Sequence, residues 1–193
     1  MKKEDIRRLI RSCKSLLDDV ERRAAADRVF NRLEQSAAFM MADTVLIYHS
    51  LPDELSTIAF LNKWSGTKRF YLPRVNGVNL DLLPYAGEDA LVTGAYAIRE
   101  PEGDESVSID EIDLVVVPGV AYDRAGNRVG RGKGFYDRLL QSCRATMVGI
   151  GYDFQLVDQI DTEPHDVAVD IVITESGYFT PGNRPIHRRR RRP

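Results

Sequence analysis

The chain has 193 residues, of which 43% are hydrophobic and 29% are charged. This is the composition of a soluble globular domain, and it excludes disorder over most of the chain. No stretch approaches the roughly 18 to 20 consecutive apolar residues that a membrane-spanning helix needs. The charged N-terminus is not followed by an apolar segment, so we expect no secretory signal and a cytoplasmic protein.

The formal net charge of −2 hides an uneven distribution, because five arginines stand together at Arg188 to Arg192. Without them the 27 basic residues fall to 22 against 29 acidic ones, which gives a net charge of −7. A body this acidic repels nucleic acid. We therefore expect phosphate groups to bind only at a local cationic site, and nucleic acid to be no partner except through the arginine tail.

Residues 1–183 contain no internal repeat and no linker, so we expect a single domain that acts as a monomer. Residues 184–193 are expected to form a disordered basic extension. The two cysteines, Cys13 and Cys143, lie far apart in sequence. They indicate neither a disulfide framework nor a zinc site, and both are expected to be buried thiols.

The N-terminal third is predicted to be helical. Apolar residues with the spacing of one helix face run from Ile6 to Val20. They are Ile6, Leu9, Ile10, Cys13, Leu16, Leu17 and Val20. Asp18 and Glu21 have the spacing of a capping box, and a second helical stripe follows over Val29, Phe30, Leu33 and Ala37.

Short apolar runs suited to buried parallel strands follow the helical region. They are Thr44 to Tyr48, Arg69 to Leu72, Leu114 to Val117, Met147 to Ile150 and Asp170 to Ile173. Helix-like segments lie between several of them, at Ser56 to Trp64 and Phe135 to Cys143. This alternation predicts an α/β fold, a three-layer domain with a mainly parallel sheet that binds ligands beyond the carboxyl ends of its strands.

Residues 74 to 111 fit this alternation less well. They mix turn signals with short strand-like pieces such as Leu80 to Leu83, and we interpret them as an insertion or a lid.

The most informative stretch lies between Gly119 and Gly134, which contains five of the 14 glycines. Glycines at 130, 132 and 134 let backbone N–H groups approach an anion closely at a strand-to-helix junction. Arg128, Arg131, Lys133 and Arg138 bring four positive charges to the same place. The combination predicts a phosphate-binding loop, for which nucleotide phosphates are the natural ligand.

The loop does not match GxxxxGK[ST], because Phe135 follows Gly134 and no Ser or Thr is present to hold magnesium. Asp137 is the one carboxylate in the cationic cluster. It could hold a magnesium ion that bridges phosphate oxygens, or it could simply favour the first turn of a helix.

The loop resembles the signature PGxxFDxxGxRLGxGxGYYDR of the 5-formyltetrahydrofolate cyclo-ligases, also called methenyltetrahydrofolate synthetases. The matching residues are Pro118, Gly119, Asp123, Gly126, Arg128, Gly130, Gly132, Gly134, Tyr136, Asp137 and Arg138. Shorter matches extend the resemblance over roughly residues 3 to 175. They are Lys3 and Arg7; Tyr48, Ser50 and Glu54; Leu72, Pro73 and Arg74; Ile98, Glu100 and Pro101; Asp166 and Asp170.

Three positions depart from the pattern of that family. Phe135 replaces the first tyrosine of a usual pair, so that hydroxyl is absent. Tyr96 stands where the family tends to have tryptophan or another aromatic residue, and Arg99 where it often has proline. None of these changes removes a cation or a carboxylate.

The resemblance implies ATP-dependent cyclisation of 5-formyltetrahydrofolate to 5,10-methenyltetrahydrofolate with magnesium, which releases ADP and phosphate. Such a reaction needs positioning of the reactants and neutralisation of phosphate charge. The nucleotide is expected to be held by Lys3, Arg7, Arg128, Gly130, Arg131, Gly132, Lys133, Gly134, Phe135, Tyr136 and Asp137. Asp137 is expected to hold the metal, and Lys133, Arg131 and Glu54 are the expected catalytic residues.

The expected folate-binding residues are Ser50, Glu54, Arg74, Tyr96 and Tyr152. The residues alone leave other interpretations open, because Arg74 could be an exposed loop arginine, Tyr152 a packing residue, and Lys3 with Arg7 a solvated helix face.

Two further functions remain open from the sequence. One is a sugar-phosphate isomerase of similar α/β architecture, since fold alone does not decide function. The other is a non-enzymatic acidic domain whose arginine tail binds RNA, acidic lipid or a protein partner.

Overall fold

The computed structural model of the chain describes residues 1–182, so the arginine tail lies outside the described residues. Its α-helices are α1 (Lys3–Lys14), α2 (Asp19–Glu34), α3 (Ala37–Met40), α4 (Ile58–Trp64) and α5 (Phe135–Leu140). Its strands are β1 (Thr44–Leu46), β2 (Arg69–Asn76), β3 (Asn79–Pro84), β4 (Leu91–Thr93), β5 (Arg99–Pro101), β6 (Leu114–Val117), β7 (Ala121–Asp123), β8 (Arg128–Val129), β9 (Thr146–Ile150), β10 (Leu156–Val157), β11 (Ile171–Ile173) and β12 (Tyr178–Phe179).

A seven-stranded sheet in the order β12-β11-β9-β6-β1-β2-β3 forms the centre of the fold. The five inner strands are parallel, and the two edge strands, β12 and β3, are antiparallel to their neighbours. The mainly parallel sheet predicted from the sequence is therefore confirmed.

Successive residues of the inner strands point to opposite faces of this sheet, and both faces are buried. On β6, Leu114 and Val116 join a core that α2, α3 and α4 cover, whereas Val115 and Val117 join a second core that contains Leu140 of α5. Burial on both faces explains why these strands are continuous apolar runs in the sequence. The result is the three-layer α/β arrangement that the sequence predicts.

Helix α1 packs on a smaller sheet rather than on the main one. Ile6 and Ile10 join Ala121, Val129 and Ile160 in a separate apolar cluster. The smaller sheet has the order β10-β7-β8, and its strands β7 and β8 directly precede the glycine-rich loop in the chain. This packing brings the N-terminal helix next to that loop.

The predicted helical stripe from Ile6 to Val20 is wrong in its second half. Helix α1 ends at Lys14, and Asp18 begins α2 by accepting a hydrogen bond from the backbone N–H of Glu21. The capping box is thus confirmed, and it separates two helices that pack in different apolar clusters. Leu16 and Val20 are consequently exposed, as is Leu9.

Residues 74 to 111 are only partly an insertion. Residues 74 to 84 belong to the main sheet, because β2 and β3 form a hairpin at its edge. The remainder includes a separate two-stranded hairpin, β4 and β5.

Three smaller expectations are corrected by the structure. Helix α5 ends at Leu140 rather than at Cys143, and strand β1 ends at Leu46 rather than at Tyr48. Cys13 and Cys143 form no disulfide within residues 1–182, and both are only partly buried. Among residues 1–182, no helix has the length and apolar character required to cross a membrane.

Candidate active site

A cleft of about 520 Å³ lies at the carboxyl ends of the central parallel strands. Its lining includes Tyr48 and His49, which follow β1, and Pro118 and Gly119, which follow β6. Ligands of parallel α/β sheets bind at this edge. The location agrees with the expectation from the sequence.

Most of the residues predicted to form the site line this cleft. They are Lys3, Arg7, Glu54, Tyr96, Arg128, Gly130, Arg131, Gly132, Lys133, Gly134, Phe135, Tyr136 and Asp137. The structure therefore brings together residues from α1, from the loop after β1, from the β4–β5 region and from the glycine-rich loop.

The glycine-rich loop, residues 130 to 134, connects β8 to α5. Gly132 and Gly134 have φ angles of 98° and 68°, a left-handed backbone that favours glycine. No acceptor within residues 1–182 receives a hydrogen bond from the backbone N–H groups of residues 130 to 134. Those N–H groups are available to an anionic ligand.

Arg131 joins this loop to the segment that follows β1. Its Nη2 lies 2.6 Å from Oδ1 of Asp53 and 3.0 Å from Oε1 of Glu54. Burial alone would lower the pKa of Arg131, but the two carboxylates outweigh it and raise that pKa. Arg131 is therefore a permanent cation held by two acidic groups.

Lys133 has a different environment from that of Arg131. Its Nζ lies 5.3 Å from the centre of the Tyr96 ring, a cation–π contact. Within the described part of the chain, no carboxylate lies within 4.0 Å of its Nζ. The positive charge of Lys133 is thus not compensated by an ion pair.

The N-terminal helix contributes two more cations. Nζ of Lys3 lies 2.6 Å from Asp166 and 2.8 Å from Glu163. Burial alone would lower the pKa of Lys3, but its hydrogen bonds to Asp166 and Glu163 raise that pKa overall. Nε of Arg7 donates a 2.9 Å hydrogen bond to the backbone carbonyl of Gly130, which attaches α1 to the loop.

Arg128 and Asp137 form a buried ion pair at the base of the loop. The Arg128 side chain is 4% exposed, and its Nη2 lies 2.7 Å from Oδ1 of Asp137. The same carboxylate oxygen accepts a 3.3 Å hydrogen bond from the backbone N–H of Val167. Oδ2 of Asp137 has no hydrogen-bond partner among residues 1–182, so one oxygen of this carboxylate remains available.

A second acidic group at the cleft could hold a metal by composition alone. Three residues, Glu163, His165 and Asp166, each offer one potential ligand atom, and these atoms all lie within 4.8 Å of one another. However, the ammonium group of Lys3 already contacts both carboxylates of this group. A positive charge therefore occupies the position that a metal ion would need.

Part of the lining of the cleft is apolar. Pro73, Val75, Leu80 and Ile98 form this part. Two polar residues that the sequence did not single out as site residues, His49 and Glu100, also line the cleft, and both are buried. Nε2 of His49 lies 3.1 Å from Oε2 of Glu88. His49 and Glu88 are 39 positions apart in the sequence, and no local motif connects them.

The aromatic residues after the glycine-rich loop have distinct environments. The Phe135 ring lies 6.3 Å from that of Tyr96 at the cleft. The hydroxyl of Tyr136 is buried without a hydrogen-bond partner in the described chain, and burial raises its pKa.

Three residues predicted to bind the substrate lie outside the lining of the cleft. Arg74 donates to Asp81 at 3.1 Å and to the carbonyl of Gly103 at 2.7 Å, which ties the β2–β3 hairpin to a neighbouring turn. Tyr152 is 1% exposed and belongs to the main apolar core. Ser50 accepts a hydrogen bond from the backbone N–H of Thr57 at 3.1 Å, before α4. The structure gives each of them a structural role instead.

Comparison with known proteins gives consistent matches over almost the whole described chain. The model of the 5-formyltetrahydrofolate cyclo-ligase family matches residues 1–175. The 5-formyltetrahydrofolate cyclo-ligase of Escherichia coli (strain K12) is 31% identical over 177 residues, which are 87% of this chain and 97% of that protein. The enzyme of the same name from Haemophilus influenzae is 30% identical, with 89% and 97% covered.

Solved structures give the same result. The 5,10-methenyltetrahydrofolate synthetase of Aquifex aeolicus matches with a TM-score of 0.85 and 29% identity over 98% of both chains. The synthetase of Mycoplasma pneumoniae matches with a TM-score of 0.74 over 91% of this chain and 99% of that one. Its identity is 21%, so it supports the fold alone.

Proposed function

The chain belongs to the 5-formyltetrahydrofolate cyclo-ligase family, and we propose that its cleft holds ATP at the cationic end and the folate at the apolar end. The reaction is the ATP-dependent cyclisation of 5-formyltetrahydrofolate to 5,10-methenyltetrahydrofolate, with release of ADP and phosphate. The observation that carries the proposal is the convergence of Lys3, Arg7, Arg131 and Lys133 on one end of a single cleft.

The cationic end suits a triphosphate. Arg7 and the glycine-rich loop are already joined by the hydrogen bond to Gly130, so α1 and the loop form two sides of one binding site. Lys133 and the backbone N–H groups of the loop are uncompensated donors that would bind phosphate oxygens. The side chain of Arg128 is almost fully buried, so Arg128 would stabilise the base of the loop through its ion pair with Asp137.

Arg131 and Lys133 are the proposed catalytic cations. Transfer of the γ-phosphoryl group spreads negative charge over its oxygens, and positioned cations stabilise that charge. Arg131 would exchange part of its contact with Asp53 and Glu54 for the phosphate, since its side chain is 47% exposed. Glu54 would then be placed between the nucleotide and the folate.

Magnesium is the expected companion of ATP in such a reaction. The site offers one protein ligand for such an ion, because Oδ2 of Asp137 has no hydrogen-bond partner in the described chain while Oδ1 accepts from Arg128. Asp137 would hold the ion together with phosphate oxygens. When bound, the ion would neutralise charge on the phosphates.

The chemistry proceeds in two balanced steps. The formyl oxygen attacks the γ-phosphorus, and the bond to ADP breaks. N10 of the folate then attacks the formyl carbon and loses its proton, and the C–O bond breaks as inorganic phosphate leaves with the former formyl oxygen. The protein positions both reactants and excludes competing water.

The apolar end would receive the ring system of the folate. Pro73, Val75, Leu80 and Ile98 supply apolar contacts. Tyr96 lies where the two parts of the lining meet: its ring contacts Lys133 and Phe135, and Ile98 of the apolar part stands two positions further along the chain. It would contact the folate where the two substrates meet.

We propose that the enzyme acts as a monomer in the cytoplasm. Size-exclusion chromatography with light scattering would test the monomeric state, and a mass near 22 kDa is the expected result.

One assay tests the proposed activity. Purified protein is mixed with 5-formyltetrahydrofolate, ATP and magnesium, and the near-ultraviolet absorbance of the methenyl product is followed together with ADP. The proposal expects equal amounts of the two products and no reaction without ATP. Absence of the methenyl product, or its formation without ATP, would refute the proposal.

A further inference from the structure

A buried histidine lies in the wall of the cleft and is not used by the reaction as described so far. His49 follows β1 by three positions, is 9% exposed and lines the cleft. Histidine is an unusual choice for a buried position unless its ring nitrogens have partners. The contacts of the ring therefore indicate what it does.

Glu88 fixes the orientation and the tautomer of His49. Nε2 of the ring lies 3.1 Å and 3.3 Å from the two carboxylate oxygens of Glu88. Because an ionised carboxylate only accepts hydrogen bonds, Nε2 carries the proton in this contact. Nδ1 of the neutral ring is then an acceptor, and no donor to it is found within residues 1–182.

Glu88 is itself held from two sides. The hydroxyl of Tyr85 donates to Oε1 of Glu88 at 3.0 Å, and Arg99 donates to its backbone carbonyl at 2.9 Å. Burial and the contact with Glu88 raise the pKa of Tyr85 to about 12, so the hydroxyl remains a donor at neutral pH. Asp89 is the next acidic residue along the chain and is exposed. The charged and titratable groups around His49 are thus defined.

The carboxylates that line the cleft are poor proton acceptors by comparison. Both oxygens of Glu54 are engaged, Oε1 by Arg131 and Oε2 by the backbone N–H of Leu51 at 3.0 Å. Glu163 and Asp166 hold Lys3.

The two remaining carboxylates of the lining also have partners. Oδ1 of Asp137 holds Arg128 and its Oδ2 is the proposed ligand of the metal, while Oε1 of Glu100 accepts from the backbone N–H of Val75 at 3.1 Å and its Oε2 has no hydrogen-bond partner among residues 1–182. Neither carboxylate has an acidic partner that would stabilise a proton taken up from the substrate. His49 combines a place in the lining, a carboxylate that orients it and one ring nitrogen without a protein partner.

From this arrangement, and on the basis of the proposed function, we infer that His49 accepts the proton that N10 of the folate loses during ring closure, with Glu88 as its positioning residue. As the lone pair of N10 forms a bond to the formyl carbon, the N10 proton passes to Nδ1 of His49. The C–O bond then breaks and phosphate leaves. The imidazolium next to Glu88 afterwards returns the proton to water.

The pair suits this step for an electrostatic reason. The Glu88 carboxylate lies 3.1 Å from Nε2, so it stands next to the positive charge that the ring carries once Nδ1 has taken up the proton. An acidic partner stabilises a histidine base in this way in other enzymes. A base of this kind typically contributes about 10²-fold or more to a proton transfer.

The test is His49→Gln in single-turnover experiments at saturating ATP. Glutamine can still donate to Glu88 and accept from N10, but it cannot take up a proton. ADP formation should change less than twofold, because phosphorylation of the formyl oxygen precedes the step that uses His49. Formation of the methenyl product should be about a hundredfold slower.

The pH dependence of product formation supplies the second measurement. In the wild type the rate of product formation should fall at acid pH, because a protonated His49 cannot accept the N10 proton. This fall at acid pH, the acid limb of the profile, should be absent in His49→Gln. Glu88→Gln should move the limb to lower pH, since it removes the charge that favours imidazolium. Asp89→Asn, a change to the exposed neighbouring acid, should leave the profile of the wild type unaltered.

Two results would overturn the inference. In one, ADP and the methenyl product slow down by the same factor, which would indicate a structural or binding role. In the other, neither rate changes in His49→Gln. A wild-type protein that makes no methenyl product refutes the proposed function itself, which separates the two failures.

Discussion

The two ends of the cleft are built in different ways. The cationic end comes mainly from one short stretch, Arg128 to Arg138, which α1 covers from the side. The apolar end combines Pro73 and Val75 of β2 and Leu80 of β3 with Ile98, which stands before β5, and these residues are distant in the sequence from the glycine-rich loop. A site for phosphate can therefore be encoded locally, whereas a site for a heterocyclic substrate depends on the assembled fold.

The cationic end also divides into compensated and uncompensated charges. Lys3, Arg128 and Arg131 each contact carboxylates, so a ligand must compete with those partners. Lys133 and Arg7 form no ion pair within residues 1–182. The uncompensated cations should therefore contribute most to binding the triphosphate, and the following tests examine that difference.

The largest effect is expected for Lys133→Ala. Removal of a positioned charge from a phosphoryl-transfer site typically costs about 10²- to 10³-fold in turnover. We expect kcat to fall within that range, measured by the methenyl absorbance. Lys63→Ala serves as the matched control, because Lys63 is an exposed lysine paired with Glu34 outside the cleft. Equal rates in the two variants would contradict the role of Lys133.

A smaller effect is expected for Arg7→Ala. This change removes a cation and the hydrogen bond that attaches α1 to Gly130. KM for ATP should rise about tenfold, since a charged hydrogen bond contributes about 1.5 kcal/mol or more. Arg11→Ala, one helical turn further along α1 and exposed, should leave KM within a factor of two. A rise in KM for the folate without a rise in KM for ATP would contradict the placement of Arg7 at the nucleotide.

Arg74→Ala separates the structural residues from those of the site. Arg74 joins Asp81 and the carbonyl of Gly103, so its removal should lower the free energy of unfolding by about 1 kcal/mol. Urea unfolding would measure this change. Turnover and KM for the folate should stay within a factor of two. A tenfold rise in that KM would restore Arg74 to the substrate site.

The smallest effect concerns stability at acid pH. Burial would raise the pKa of Asp166, but the hydrogen bonds from Lys3 and from the backbone N–H of Glu163, together with the positive charge of Lys3, outweigh burial and lower that pKa below its ordinary value. The stabilisation is therefore complete above the ordinary pKa of aspartate and is lost as pH falls through the lower, folded-state value. Unfolding in urea between pH 6 and pH 3 should show a shallower acid loss for Asp166→Asn than for the wild type. Identical slopes would show that the pair with Lys3 adds nothing.

The sequence predicts the architecture and the cationic end well because both depend on local patterns. The parallel strands are continuous apolar runs, and the loop carries its glycines and cations within a few residues. The prediction failed at the first helix, where Leu16 and Val20 continue an apolar stripe across a capping box that ends it. The spacing of apolar residues alone does not show where one helix ends and the next begins.

The other end of the cleft was largely missed for a related reason. His49 and Glu88 form a pair only because β1 and the turn before β4 meet in the fold. Arg74 and Tyr152 were expected at the site because each belongs to or follows a strand, but an ion pair and the apolar core hold them elsewhere. Position near a strand end does not determine the direction of a side chain.

The most direct test of the account is the separation of the two ligands at the two ends of the cleft. Titration calorimetry would measure the affinities of a non-hydrolysable ATP analogue and of 5-formyltetrahydrofolate for the wild type and for Lys133→Ala. The account predicts that the analogue binds at least tenfold more weakly to the variant, while the affinity for the folate changes less than twofold. Unchanged affinity for the analogue, or equal weakening of both ligands, would contradict it.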